Sequence, residues 1–305
     1  MEVPDHLFVP AASSRQGIGE SLVRPRLSVR RETWQRLLKN KLAALGLILI
    51  VLLAGLTAAG PLLTEHDYVK QDLLHANAAP SGQHIFGTDE LGRDMLARIL
   101  YGARISLFIG VAAALIDFGI GAAYGGIAGY FGGRTDQLMM RLVDLLYGIP
   151  YLLVVILLMV VMGPGLLTIL AALTATGWLG MARIVRGQVL QLRSAEYVLA
   201  ARTLGGSPWR VITRHLLPNT LGVILVQVTF SVPSAIFAEA FLSFLGLGIQ
   251  PPLASWGVMA NSGLPAVLSG HWWRLFYPAL FISLTMLAFQ LLGDGLQQAL
   301  HPKRR

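Results

Sequence analysis

The chain contains no cysteine, and only 13% of its 305 residues are charged. The first absence removes disulfides, thiolate nucleophiles and sulfur-ligated metal sites. The second sets the class. A soluble domain carries roughly a quarter of its residues as charges, whereas this chain pairs its few charges with 54% hydrophobic residues, the balance of a membrane protein. No G-x-x-x-x-G-K-[ST] phosphate loop occurs, so the chain lacks the backbone cradle and lysine that hold ATP. HExxH is missing as well. The seven histidines (His6, His66, His75, His84, His215, His271 and His301) are scattered without ligand spacing. No metal site and no catalytic residue is therefore read. Serine–histidine catalysis needs no fixed spacing, but nothing nominates a nucleophile.

What remains is mostly apolar runs. About 20 apolar residues cross the hydrocarbon core, and the chain predicts six such spans, near 42–63, 105–131, 142–162, 166–184, 221–244 and 275–292. Residues 1–41 form a polar tail, too long for the charged start of a cleaved signal peptide. Residues 64–104 form a polar loop in which Thr88 or Asp89 can cap a helix carrying Leu91, Met95, Ile99 and Ala103, lying along the surface before the second span. That span holds Gly110, Gly119, Gly121, Gly125, Gly126 and Gly129, small residues that let helix backbones approach closely. Asp117 lies near its middle and Glu239 inside the fifth span. Acids are costly in lipid, so Asp117 should face protein or a watery cavity, in a structural hydrogen bond as readily as in a substrate contact. Both acids are candidates for a translocation path or a subunit interface. Asp144 and the kinking Pro150 fall in the first turns of the third span. A Gly- and Pro-rich loop, LGLGIQPPLASWG, follows the fifth, and Trp272 and Trp273 suit a membrane interface.

One polar, basic island interrupts the later spans: EYVLAARTLGGSPWRVITRHLLPN, residues 196–219. Tyr197, Ala200, Ala201 and Leu204 have the spacing of one helical face. Gly205 can then take the left-handed conformation that ends a helix. Ser207 and Pro208 suit the cap and first turn of a second helix. That helix carries Trp209, Ile212 and Leu216 on one face and Arg210 with Arg214 on another, and Pro218 stops or kinks it. A pair this short must dock on something. A DNA-reading helix-turn-helix has no room for a duplex between membrane spans.

The island resembles the "EAA" loop of membrane subunits in binding-protein-dependent ABC importers: Glu-Ala-Ala, three residues, Gly, nine residues, then Ile-x-Leu-Pro. Ala200, Ala201, Gly205, Leu217 and Pro218 stand in register, while Leu199 replaces the family's Glu and His215 its Ile. Glu196 lies one turn before the missing carboxylate. The runs GTDELGRD…YGARISL, FLSFLGLGIQPP…SWG and GDGLQQALHPK also resemble the C-type subunit of dipeptide and oligopeptide permeases, so the likeness covers most of 85–303. It implies an all-α, six-span type I importer permease in the bacterial inner membrane. The implied partners are a homologous permease subunit forming a heterodimer, two cytoplasmic ATPases that bind ATP and Mg, and an extracytoplasmic peptide-binding protein. Lipid surrounds the chain, no nucleic acid is involved, and no cofactor sits in the chain itself. Glu196, Ala200, Ala201, Gly205, Ser207, Trp209, Arg210, Arg214 and Pro218 are the expected ATPase-coupling residues, within a loop over 194–219. A nickel or other small-solute importer of the same family is the alternative, and a stand-alone channel or secondary carrier the rival.

Basic residues set the expected orientation, since Lys and Arg favour cytoplasmic loops. With both termini inside, eight lie in the tail, two after the second span, six around the island and three at the C-terminus; Lys70, Arg93, Arg98, Arg104 and Arg274 are left outside. The domain plan is thus a cytoplasmic tail (1–41), a first span (42–63), an extracytoplasmic loop with its surface helix (64–104), a core of five spans (105–297) and a cytoplasmic C-terminal tail (298–305).

Overall fold

A computed structural model describes residues 29–250 and 252–300. Most of the tail 1–41, the last five residues and Pro251 lie outside the described residues. The rest is helical: α1 (Val29–Lys39), α2 (Lys41–Leu63), α3 (Met95–Phe131), α4 (Gly133–Tyr147), α5 (Tyr151–Met162), α6 (Leu166–Leu192), α7 (Glu196–Thr203), α8 (Pro208–Val211), α9 (Leu217–Phe244), α10 (Trp256–Leu268) and α11 (Trp273–Leu300). Among the described residues the sole strand-like feature is one bridge, Thr88 with Asp94.

Five helical runs are long and apolar enough to cross a membrane: 41–60, α3, α6, 208–244 and α11. The expected third span is not one kinked helix. It breaks between α4 and α5 with a bend of 80°. Gly148 closes α4, its N–H bonding back to Asp144 and Leu145, and Pro150 caps α5. A proline disfavours helical backbone at the residue before it, so Ile149 cannot carry α4 onward. α5 has 12 residues, about 18 Å of helix, and does not cross a bilayer alone.

α3 is the axis of the bundle. Its 37 residues run about 55 Å with no break near Ile105, where a surface helix was expected to give way to a span. The cap is Asp94, which accepts from the Ala97 N–H at 2.8 Å, and not Thr88 or Asp89. Asp89 is engaged in a turn, accepting from the N–H groups of Leu91 and Arg93 at 2.9 Å each. α3 packs most extensively on α6 through its glycines. A Cβ at Gly125 would collide with the Ala182 carbonyl, and one at Gly129 with Val189; Gly119, by contrast, faces open space.

These contacts fix the directions. Ile109 packs with Ile169 and Gly129 meets Val189, so α3 and α6 run parallel. α9 runs against them, with Leu217 near Gly126 and Ile236 near Gly110. One end of the bundle therefore carries the 64–94 loop, and the opposite end carries α7 and α8. α10 is an additional helix within the expected loop; Ser255 caps it by accepting from Val258 N–H at 3.2 Å. Trp273 is buried, its Nε1 donating to the Thr88 carbonyl at 3.1 Å, while Trp272 remains half exposed.

Candidate functional site

The 194–219 loop is assembled from local chemistry. α7 ends in a pair of bonds, Gly206 N–H to the Ala201 carbonyl and Gly205 N–H to that of Arg202, both 3.0 Å. That six-to-one and five-to-two pairing satisfies the last carbonyls of the helix. Gly205 has φ +80°, a conformation in which a Cβ costs about 1–2 kcal/mol. Ser207 then caps α8, its Oγ accepting from Arg210 N–H at 3.4 Å, and Pro208 opens the first turn.

Pro218 neither stops nor isolates the second helix. Residues 212–216 form one wide π turn, closed by Leu217 N–H to the Ile212 carbonyl, and the chain continues directly into α9. Proline supplies no N–H for the bond to residue i−4, and one residue on, Asn219 Nδ2 donates to the His215 carbonyl at 2.6 Å. α8 is thereby fused to a membrane-length helical run over 208–244.

The buried and exposed faces differ from the periodic reading. Val198 fills the core from α7, and Val211, Ile212 and Leu216 fill it from the second helix, all against Met181, Val185 and Val189 of α6. Tyr197, Leu199, Leu204 and Trp209 point outward, with Leu204 88% and Trp209 63% exposed. The expected Trp209/Ile212/Leu216 face is thus split: two members anchor the loop and Trp209 is displayed. Glu196, Ala200, Gly205, Ser207, Arg210, Arg214 and Pro218 are exposed, and Ala201 is half-buried. Among the described residues the charged groups of Glu196, Arg210 and Arg214 have no hydrogen-bond or ion-pair partner. The result is an apolar and basic platform on a rigid mount.

Two ion pairs brace that mount, and neither was legible in the sequence. Arg186 of α6 grips both oxygens of Asp136 on α4, one through Nε and the other through Nη2 at 2.6 Å. Arg183 reaches Asp144 at 2.7 Å and lies over the Tyr147 ring at 4.4 Å. Their partners are 50 and 39 residues apart, so no local pattern announces them.

The two membrane acids separate. Glu239 is fully enclosed within this chain, accepting from Ser243 Oγ at 2.7 Å and Ser255 Oγ at 2.6 Å, with Ser106 Oγ at 3.5 Å. Ser106 in turn accepts from Trp256 N–H at 3.2 Å. Glu239 thereby knits α3, α9 and the start of α10 from a fully buried position. Asp117 is buried against Gly177 of α6, and its Oδ1 has no partner. The fold also brings together two of the histidines that the sequence leaves far apart: His66 and His84 meet Asp94 in the 64–94 loop.

Apolar helices of membrane length, with a short helix–turn–helix at one end of the bundle, define a polytopic membrane protein. Residues 121–305 match the family described as binding-protein-dependent transport system inner membrane component, and the chain belongs to that family. Residues 28–80 match the N-terminal TM domain of oligopeptide transport permease C. The chain is 62% identical over 304 residues to the dipeptide transport system permease protein DppC of Bacillus subtilis (strain 168), covering 100% of this chain and 95% of that protein. It is 53% identical to the oligopeptide transport system permease protein OppC of the same organism, covering 99% of each. OppC of Escherichia coli (strain K12) is 43% identical over 90% of this chain and 93% of its own.

Proposed function

We propose that the chain is one membrane subunit of an ATP-driven peptide importer, forming half of the translocation path. It pairs with a second permease subunit of similar fold, two ATPases and an extracytoplasmic peptide-binding protein. The peptide assignment follows the relatives, which are dipeptide and oligopeptide permeases by name, and it favours peptides over nickel. ATP hydrolysis belongs to the partner subunits.

The observation that carries the reading is the platform itself. Tyr197, Leu199, Leu204 and Trp209 are exposed at the end of the bundle, while Val198, Val211, Ile212 and Leu216 tie the same short helices into the α6 core. A stand-alone channel has no use for such a surface. Closure of the ATPase pair pushes on α7 and α8; the continuous 208–244 run and the α4–α6 braces carry the movement into the spans. The platform end is cytoplasmic, and the 64–94 end faces the binding protein. Glu196, Ala200, Ala201, Gly205, Ser207, Trp209, Arg210, Arg214 and Pro218 shape or line this contact. Asp117, with its unpartnered oxygen, remains a path or interface candidate.

The test is reconstitution of the four membrane and ATPase subunits in proteoliposomes with the binding protein. ATP-dependent uptake of labelled di- or oligopeptide is expected, with none when this chain is omitted. Peptide uptake that proceeds without ATP would contradict the proposal.

A further inference from the structure

We propose that His66, His84 and Asp94 form a binding site for a zinc-class divalent cation at the bundle end opposite the α7–α8 platform. One ligand atom from each residue lies within 4.8 Å of the other two. His84 Nδ1 is 2.9 Å from Asp94 Oδ2, and the His66 and His84 rings stack with centroids 4.8 Å apart. The three residues lie 18 and 10 positions apart along the chain, so only the folded loop assembles them.

Each ligand is held by its own backbone setting. Asp94 is nearly buried and spends Oδ1 on the Ala97 N–H as the cap of α3, which leaves Oδ2 for His84 or a cation. His84 sits in a tight turn: its carbonyl accepts from Ser81 N–H at 2.8 Å and Gly87 N–H at 2.9 Å, and its own N–H donates to Ser81 Oγ at 3.2 Å. His66 follows α2 by three residues, its N–H donating to Thr64 Oγ1 at 3.1 Å. Its Nε2 lies 3.1 Å from the Gln83 carbonyl. A carbonyl only accepts, so Nε2 carries the proton and the other ring nitrogen keeps its lone pair. A ring N–H bonded to a backbone carbonyl is the usual outer support of a metal-ligating histidine.

Two imidazoles and one carboxylate form a zinc ligand set that leaves a fourth position open. Magnesium and calcium are disfavoured, because calcium takes six to eight oxygen ligands and magnesium keeps an octahedron of oxygens, mostly water. Bonds of about 2.0–2.2 Å to one tetrahedral ion place ligand atoms about 3.4 Å apart. Exposed His66 can supply the closing movement, while His84 Nδ1 yields to the ion the place of the proton it shares with Asp94 Oδ2 at 2.9 Å, and the two atoms open by about 0.5 Å. Beside the triad lies a cavity of about 500 Å³, bordered also by Glu65, Asp67 and His75, with room for water or another donor at the open position. The ligands come from the exit of α2, the middle of the loop and the start of α3. A bound cation therefore clasps the loop at three points.

The test uses the full chain purified in detergent with a histidine-free affinity tag and stripped with chelator. Zn²⁺ is titrated against a chromophoric competitor, and bound metal is counted after gel filtration. Wild type should hold about one Zn²⁺ per chain with sub-micromolar affinity, and Zn²⁺ should raise its thermal midpoint. His66→Ala, at an exposed position, should lower affinity at least tenfold and abolish the thermal shift. Asp94→Asn keeps the helix-cap acceptor but loses the charge, and it should weaken binding in the same direction. His271→Ala, outside the triad, should bind as wild type does. Absence of binding tighter than about 10 μM, or unchanged affinity in both His66→Ala and Asp94→Asn, would overturn the proposal.

Discussion

Trp209 and Glu239 illustrate how the same sequence signal, an unusual side chain in an apolar neighbourhood, resolves in opposite ways. Trp209 is displayed on the platform, and docking interfaces concentrate binding energy in such aromatic residues. Trp209→Ala should insert and express normally yet weaken ATPase association by more than about 2 kcal/mol, some thirtyfold, read by co-purification or surface plasmon resonance. Wild-type affinity would remove Trp209 from the contact. Glu239 makes the reverse case. Gln there keeps an oxygen for Ser243 and Ser255, whereas Ala strands two buried hydroxyls at about 1–3 kcal/mol each. Glu239→Ala should lower the thermal midpoint in detergent markedly and Glu239→Gln should not. A stable Glu239→Ala protein with selectively lost transport would restore Glu239 to the path.

Local chemistry was legible at the level of single elements, and tertiary choice was not. Gly205 and Ser207 announced the turn because positive φ and helix capping are properties of one or two residues. Which face of α7 is buried was hidden, since Val185 and Val189 of α6 select Val198 over Tyr197. The triad His66, His84 and Asp94 was invisible for a similar reason: loop closure brings it together, and spacing does not. The π turn at 212–216 also lacks a local sign beyond Pro218. The braces between α4 and α6 are another long-range product. Arg186→Ala leaves the Asp136 carboxylate without its two-pronged partner. Breaking a buried pair costs 3–5 kcal/mol, but Arg186 is about one-third exposed, so solvent screening reduces this to about 1–3 kcal/mol. Arg186→Lys should recover only part, because an ammonium cannot grip both oxygens in a plane. Thermal midpoints should fall in the order wild type, Lys, Ala; equal midpoints would show that the brace contributes nothing.

At the scale of the whole molecule, the helical membrane class and five of the six expected spans followed from hydropathy, and the α7–α8 turn from one polar island. The continuous α3, the 80° break before α5 and the added helix α10 did not. Orientation is a further global property. Reporters fused after residue 137 should read as cytoplasmic, and those near 75 and 262 as extracytoplasmic; a cytoplasmic signal at 75 would invert the plan. The central claim is that ATPase work enters through the α7–α8 turn. Gly205 tests it directly, because its φ is +80° while a Cβ there meets open space. Gly205→Val therefore strains the turn by a few kcal/mol at most without striking a neighbour. Reconstituted with its partners, the variant should insert at wild-type yield but lose peptide-stimulated ATP hydrolysis. Wild-type stimulation in a well-inserted Gly205→Val protein would contradict the account.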